Sequence, residues 1–200
     1  MIVVSAPSGS GKSTILARVL RELPGLRFSV SHTTRPPREG EVSGREYHFV
    51  SEAVFEEHRA AGGFLESAEV YGRRYGTSRA ELLRAETEGV DLVADLDVQG
   101  ALQVRKTLED SVSVFIMPPS WADLEKRLRG RGQDDEAAIK RRLESARQEI
   151  GLYYTYDHVL VNDDLNASIE DVKSVIRAAR RRVSRMRSAA RGVLATFESQ

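Results

Sequence analysis

The sequence contains no cysteine, which excludes disulfides and any thiolate zinc site. No apolar run reaches membrane-spanning length and no secretory leader is expected ahead of the first apolar segment, so the expected setting is the cytoplasm. Net charge is missing too: 30 lysines and arginines balance 30 aspartates and glutamates, so nucleic acid is not an expected partner. The balance is uneven along the chain. From Lys173 onward there are eight basic residues and one acid, +7, which leaves −7 for the remainder. That stretch reads as the solvated side of a C-terminal helix whose apolar side is Ile169, Val172, Ile176, Val183 and Met186. Contact with RNA, an acidic partner or a neighbouring subunit of a homo-oligomer is its other reading. His32, His48, His58 and His158 lack metal-ligand spacing, and Trp121 reads as a packing residue.

What is present is concentrated in the first fourteen residues, MIVVSAPSGSGKST. The apolar run Ile2-Val3-Val4 predicts a strand, and Ile15, Leu16, Val19, Leu20 and Leu23 lie on one face of a helix. Between them stands Ala6-Pro7-Ser8-Gly9-Ser10-Gly11-Lys12-Ser13, followed by Thr14. Strand, glycine turn and helix in that order are the context of a phosphate-binding P-loop, whose inward backbone N–H groups and helix N-terminus cradle a polyphosphate. Lys12 would reach the β- and γ-phosphates, and the Ser13 hydroxyl would ligate Mg²⁺. The consensus opens on glycine where this chain has Ala6, which a negative φ accommodates. A bound nucleoside triphosphate, ATP in the first instance, is the expectation.

Further apolar runs at 28–31, 90–98, 112–117 and 158–161 alternate with helical patterns at 13–23, 100–108, 121–128, 136–150 and 168–187. Alternation of this kind predicts an α/β fold, a P-loop NTPase parallel sheet flanked by helices, with ligands at the carboxyl ends of the strands. Asp95 and Asp97 fall at such an end. Two segments fit the alternation poorly. Residues 34–79 read as a small inserted lobe, and residues 121–145 as two basic helices joined by a glycine turn, a mobile lid. The core is then 1–33, 80–120 and 146–200, within one domain.

Residues 31–50 read SHTTRPPREGEVSGREYHFV. Pro36-Pro37 stiffens the spacing between Arg35 and Arg38, and Ser31, Thr33, Thr34 and Tyr47 supply hydroxyls. Paired arginines with hydroxyls suit a phosphate monoester. A solvated loop with proline turns accounts for the same residues equally well.

Taken with the P-loop, the segment from Thr33 to Val50 resembles the signature of the guanylate kinase family. The likeness continues through Gly63-Phe64-Leu65-Glu66, Tyr75-Gly76-Thr77, Asp95-Leu96-Asp97-Val98-Gln99-Gly100, Pro118-Pro119-Ser120, Arg129-Gly130-Arg131-Gly132 and Val161-Asn162-Asp163-Asp164. The resemblance implies Mg²⁺-dependent phosphoryl transfer from ATP to GMP, with dGMP as a related acceptor. It implies that Ser31, Arg35, Arg38, Tyr47 and Tyr75 grip the monophosphate. Glu66, Thr77 and Asp97 read the guanine, Arg131 and Arg142 close from the lid, and Asn162 lies near the adenine. Asp95 is a candidate for the magnesium ion's water shell, and Asp95 and Asp97 are not separable in that role. A kinase for another monophosphate, a sugar phosphate included, and a non-catalytic interaction module are the alternatives.

Overall fold

The computed structural model describes residues 1–70, 72–130 and 135–198. Strand β1 (Ile2–Ser5) is buried along its whole length, because both faces of its sheet are covered. It runs into α1 (Lys12–Glu22), then β2 (Leu26–Phe28). The chain leaves this sheet for a second one made of β3 (His32–Thr33), β4 (His48–Phe49), β5 (Phe64–Val70) and β6 (Arg73–Ser78), with α2 (Glu52–Ala60) between β4 and β5. It returns through α3 (Arg79–Glu88), β7 (Asp91–Asp95), α4 (Val98–Thr107) and β8 (Val112–Met117). Helices α5 (Trp121–Arg129) and α6 (Glu136–Ile150) follow, then a 3₁₀ turn at Tyr153–Thr155, β9 (His158–Val161), α7 (Leu165–Arg180) and α8 (Val183–Glu198).

The main sheet has the order β2-β7-β1-β8-β9 with every described pairing parallel. Period-two alternation sends Ile2 and Val4 to one face, where Ile15, Val19, Ile169, Val172 and Ile176 of α1 and α7 cover them. Val3, Leu92, Ala94 and Phe115 face the other way, onto Ala85, Ala101 and Val104 of α3 and α4. The second sheet has the order β4-β3-β6-β5. It is fastened to the core by α4, where Gln103 donates to Ser67 O (2.9 Å) and accepts from Ser67 N (3.2 Å). Helices α5 and α6 share a separate small core of Leu124, Leu128, Ile139, Leu143 and Ala146.

Several boundaries differ from the periodicity. The strand expected at 28–31 lies at Leu26–Phe28, and His32 already belongs to the second sheet. The strand expected at 90–98 stops at Asp95, because the Asp97 carboxylate accepts from Gly100 N (2.7 Å) and starts α4. The inserted region holds the seven-residue β5 and six-residue β6 rather than only short pieces. The helix expected over 168–187 is two helices, divided at Arg181 and Arg182, and no residue type there explains the break.

Candidate active site

The loop after β1 tightens through a hydrogen bond from Ser10 N to Pro7 O (3.1 Å). Gly9 (φ +96°) and Gly11 (φ +90°) hold left-handed conformations that other residues reach only with strain. Space demands glycine as well: a Cβ on Gly9 would stand 3.0 Å from Leu124 of α5, and one on Gly11 2.5 Å from the Asn162 amide. Six helices, α2 to α7, begin on a serine or aspartate whose side chain accepts from the helix backbone. α1 begins instead on Gly11, with no side-chain cap. Its first-turn N–H groups and the positive end of its dipole are left for an anion. Lys12, in that first turn, pairs with Asp95 at the end of β7. Ser13 and Thr14 are exposed beside it.

A cleft of about 350 Å³ opens from this loop toward the second sheet. Ala6, Ser8 and Lys12 line one side, and Ser31, Arg38, Tyr47, Glu66 and Tyr75 the other, with Asp95 and Asp97 between them. Arg142 of α6 reaches the same space. Glu66 is only 5 % exposed. Its carboxylate lies over Gly100, where a Cβ would sit 2.6 Å from Oε2, so the helix glycine makes the room. Burial pushes the Glu66 carboxyl up to about 7; a hydrogen bond from Thr77 lowers it and the nearby Asp97 raises it. Thr77 is fully buried behind the cleft, its Oγ1 3.5 Å from Ser31 Oγ.

Some expected residues stand elsewhere. Arg35 donates to both Glu41 oxygens (2.9 Å each), and its guanidinium lies 5.4 Å from the Tyr47 ring centroid. Glu41 also accepts from Arg38 N (2.7 Å), and these bonds, that of Arg35 foremost, hold its carboxyl well below the usual range. The Thr33 and Thr34 hydroxyls are buried and accept from the backbone of Arg35 and Arg74, so they brace the sheet and are not offered to a ligand. Asn162 is buried with both ends of its amide engaged, to Ser10 O (2.7 Å) and Ser168 Oγ (3.2 Å). Arg131 lies outside the described residues.

Besides the apolar Ala68 and Val70, one charged cleft residue escaped the sequence reading. Glu149 of α6 lines the cavity, accepts from Ser145 Oγ (3.0 Å), and has its carboxyl raised by burial. Its signal was spacing: it stands seven residues after Arg142, on the same helix face. A larger cavity, about 780 Å³, lies at the opposite ends of the strands around Met1, Gly25 and Asp91. Asp91 is already paired there with Arg180 and Arg185, and the uncapped helix and the buried Glu66 both belong to the smaller cleft. Among the described residues no cluster of three or more His, Asp or Glu forms a metal cage, and no helix is long and apolar enough to cross a membrane.

A parallel sheet whose first strand feeds a glycine loop and an uncapped helix, facing a lobe with a buried carboxylate, defines a P-loop protein with a two-ended cleft. The guanylate kinase family model matches residues 1–179. Guanylate kinase of Neisseria meningitidis serogroup A is 48% identical over 185 residues, covering 92% of this chain and 90% of the relative. That of Escherichia coli strain K12 is 46% identical over 189 residues, 94% of this chain and 91% of its own. The crystal structure of guanylate kinase from Anaplasma phagocytophilum superposes with a TM-score of 0.76 at 33% identity, over 92% of this chain and 88% of that one. The chain belongs to the guanylate kinase family.

Proposed function

We propose that this chain transfers the γ-phosphoryl group of ATP to GMP, giving ADP and GDP in the cytoplasm. One observation carries the reading: the uncapped start of α1 with Lys12 shares a single cleft with the buried Glu66 carboxylate. The first attracts a polyphosphate, and the second can accept from a paired donor edge such as that of guanine. Guanine offers N1–H and N2–H₂ on one edge, and a carboxylate accepts from both. Adenine presents an acceptor at N1 and lacks the N2 amino group, so it would leave Glu66 unpaired. Sites built on such bonds reject the wrong partner by on the order of 10⁴-fold. Thr77 would donate to O6, and Asp97, beside Glu66, would complete the base site. Ser31, Arg38, Tyr47 and Tyr75 would hold the monophosphate, joined by Arg35 as it turns from Glu41.

The transfer needs no general base, because a phosphate oxygen is already a nucleophile; positioning and charge neutralisation do the work. Lys12 would turn from Asp95 to the triphosphate. Ser13 and Asp95 present oxygen donors only, the set that suits a magnesium ion arriving with ATP. Such an ion supplies neutralisation of phosphate charge. Helices α5 and α6, with a core of their own, form the lid that brings Arg142 and Arg131 over the moving group and excludes water.

The test is ADP release from Mg-ATP with GMP, AMP, CMP, UMP or ribose 1,5-bisphosphate offered separately. Turnover with GMP alone is expected. Turnover with the sugar phosphate and not GMP would overturn the reading, as would silence with all five from a folded protein. Lys12→Ala should abolish turnover with its circular dichroism unchanged.

A further inference from the structure

Asn162 is the first residue after β9 and is 5 % exposed. Four polar groups of this one residue are spent on four parts of the protein. Its Nδ2 donates to Ser10 O (2.7 Å) in the phosphate loop. Its Oδ1 accepts from Ser168 Oγ (3.2 Å) of α7, the orientation of the amide being set by the Ser10 carbonyl, which can only accept. Its own carbonyl accepts from Arg127 of α5 (3.0 Å), and its N–H donates to Met117 O (2.8 Å), continuing the β8–β9 pairing. Ser168 is itself buried, so this connection is sheltered from water.

The Ser10 carbonyl and the Gly11 N–H belong to one planar trans peptide, so they point in opposite directions. A donor that holds the carbonyl from behind therefore turns the N–H the other way. Gly11 cannot escape by shifting toward Asn162, since even the space of a Cβ on that side is taken at 2.5 Å. We infer that Asn162 is a positioning residue for the triphosphate: from the end of β9, with Ser168 bonded to its amide, it holds the Ser10–Gly11 peptide so that the Gly11 N–H faces the phosphate. It serves ATP through the loop backbone. The inference rests on the reading of residues 6–13 as the ATP loop. Because Asn162 meets none of the lobe residues, GMP should be indifferent to it.

The test measures binding separately from turnover. Mg²⁺ with a non-hydrolysable ATP analogue, and GMP on its own, are titrated calorimetrically into wild type, Asn162→Asp, Asn162→Leu and Ser168→Ala. Asn162→Asp keeps the shape and the acceptor for Ser168 but sets an oxygen against the Ser10 carbonyl. Asn162→Leu, similar in size and uncharged, separates the lost donor from the added charge. Both should raise the Kd for the ATP analogue by about tenfold or more, the scale of a buried hydrogen bond lost with one partner stranded. Ser168→Ala should raise it in the same direction and less, and the Kd for GMP should stay within about twofold throughout. Weakening by Asn162→Asp alone would mean charge and would overturn the inference. So would a lowered thermal midpoint with the ATP analogue bound as before, the mark of a merely structural residue. If the Asn162 variants fail to fold, Ser168→Ala decides by the same two titrations. Wild type that fails to bind the ATP analogue would overturn the loop reading itself, whereas wild type that binds it without using GMP would overturn only the proposed reaction.

Discussion

Glu66 shows at the scale of one residue what burying a carboxylate costs in stability. Its carboxyl titrates near 7 in the folded protein, against about 4.5 when exposed, because burial disfavours the charge. The folded state therefore binds the proton more tightly than the unfolded chain. The stabilising contribution is complete below about pH 4.5 and is lost as pH rises through 7. At pH 8 the ionised group costs about 3 kcal/mol, a shift of that size converted at 1.36 kcal/mol per unit. Glu66→Gln should thus raise the urea midpoint at pH 8 and leave it nearly unchanged at pH 5, while eroding the preference for GMP over AMP. Equal midpoint gains at both pH values would contradict the burial account. Glu66 and Lys12 were legible in the sequence because each sits in a motif whose order carries the chemistry. Glu149 was not, since one more glutamate in a helix rich in glutamate and arginine looks solvated until the fold turns that face inward. The attachment of Arg35 to Glu41 was hidden for another reason: five residues of irregular chain intervene, and no periodicity governs their path.

At the scale of elements, local chemistry accounts for most starts and stops. Ser51, Ser78, Ser120 and Asp135 begin their helices as capping residues do, and Gly89 ends α3 in a left-handed conformation. The core strands were legible because both-sided burial writes unbroken apolar runs. β5 and β6, reading FLESAEV and RRYGTS, were not, since charged and small residues interrupt their apolar positions, and they pair within the second sheet, β5 with β6 and β6 with β3. α8 stands apart from these rules. None of its residues is buried, and Val183, Val193, Leu194 and Phe197 are exposed. Its ties to the body include the pairing of Arg185 with Asp91. Truncation after Arg182 should therefore keep the fold and turnover within about twofold and shift the thermal midpoint by only a few degrees, as expected for about 1 kcal/mol or less. Loss of turnover from a folded truncated protein would make α8 part of the working assembly. Ending the chain at Arg177 is a different experiment, because it removes the buried Ala179 and the bonds of Arg180 to Asp91, Pro24 O and Gly25 O.

For the whole molecule, four of the eight basic residues of the C-terminal stretch are answered by acids nearby. Lys173 pairs with Glu22 and Glu170, Arg177 with Glu170, and Arg180 and Arg185 with Asp91. The apolar face expected for this region is seated as far as Ile176, and Val183 is exposed. Linear charge counting detects such an asymmetry and cannot see where the chain returns. Strand order was likewise invisible, since β7 lies beside β1 although β2, a second sheet and three helices stand between them in the sequence. The lobe follows the same pattern of internal neutrality: Arg45 meets Glu46, Arg59 meets Glu56, and Arg35 is held by Glu41. On the proposed role of Arg35, a phosphate entering the lobe would displace the tethered Glu41 carboxylate by ion exchange. Few dissolved anions are released when it binds, so the Kd for GMP should climb only gently with ionic strength. In Glu41→Gln the guanidinium would gather its counterions from the buffer, and the same titration over about a tenfold range of salt should give a steeper slope. The lobe is in this sense its own salt, and on the proposed reading its hold on the acceptor would be buffered against the ionic strength around it.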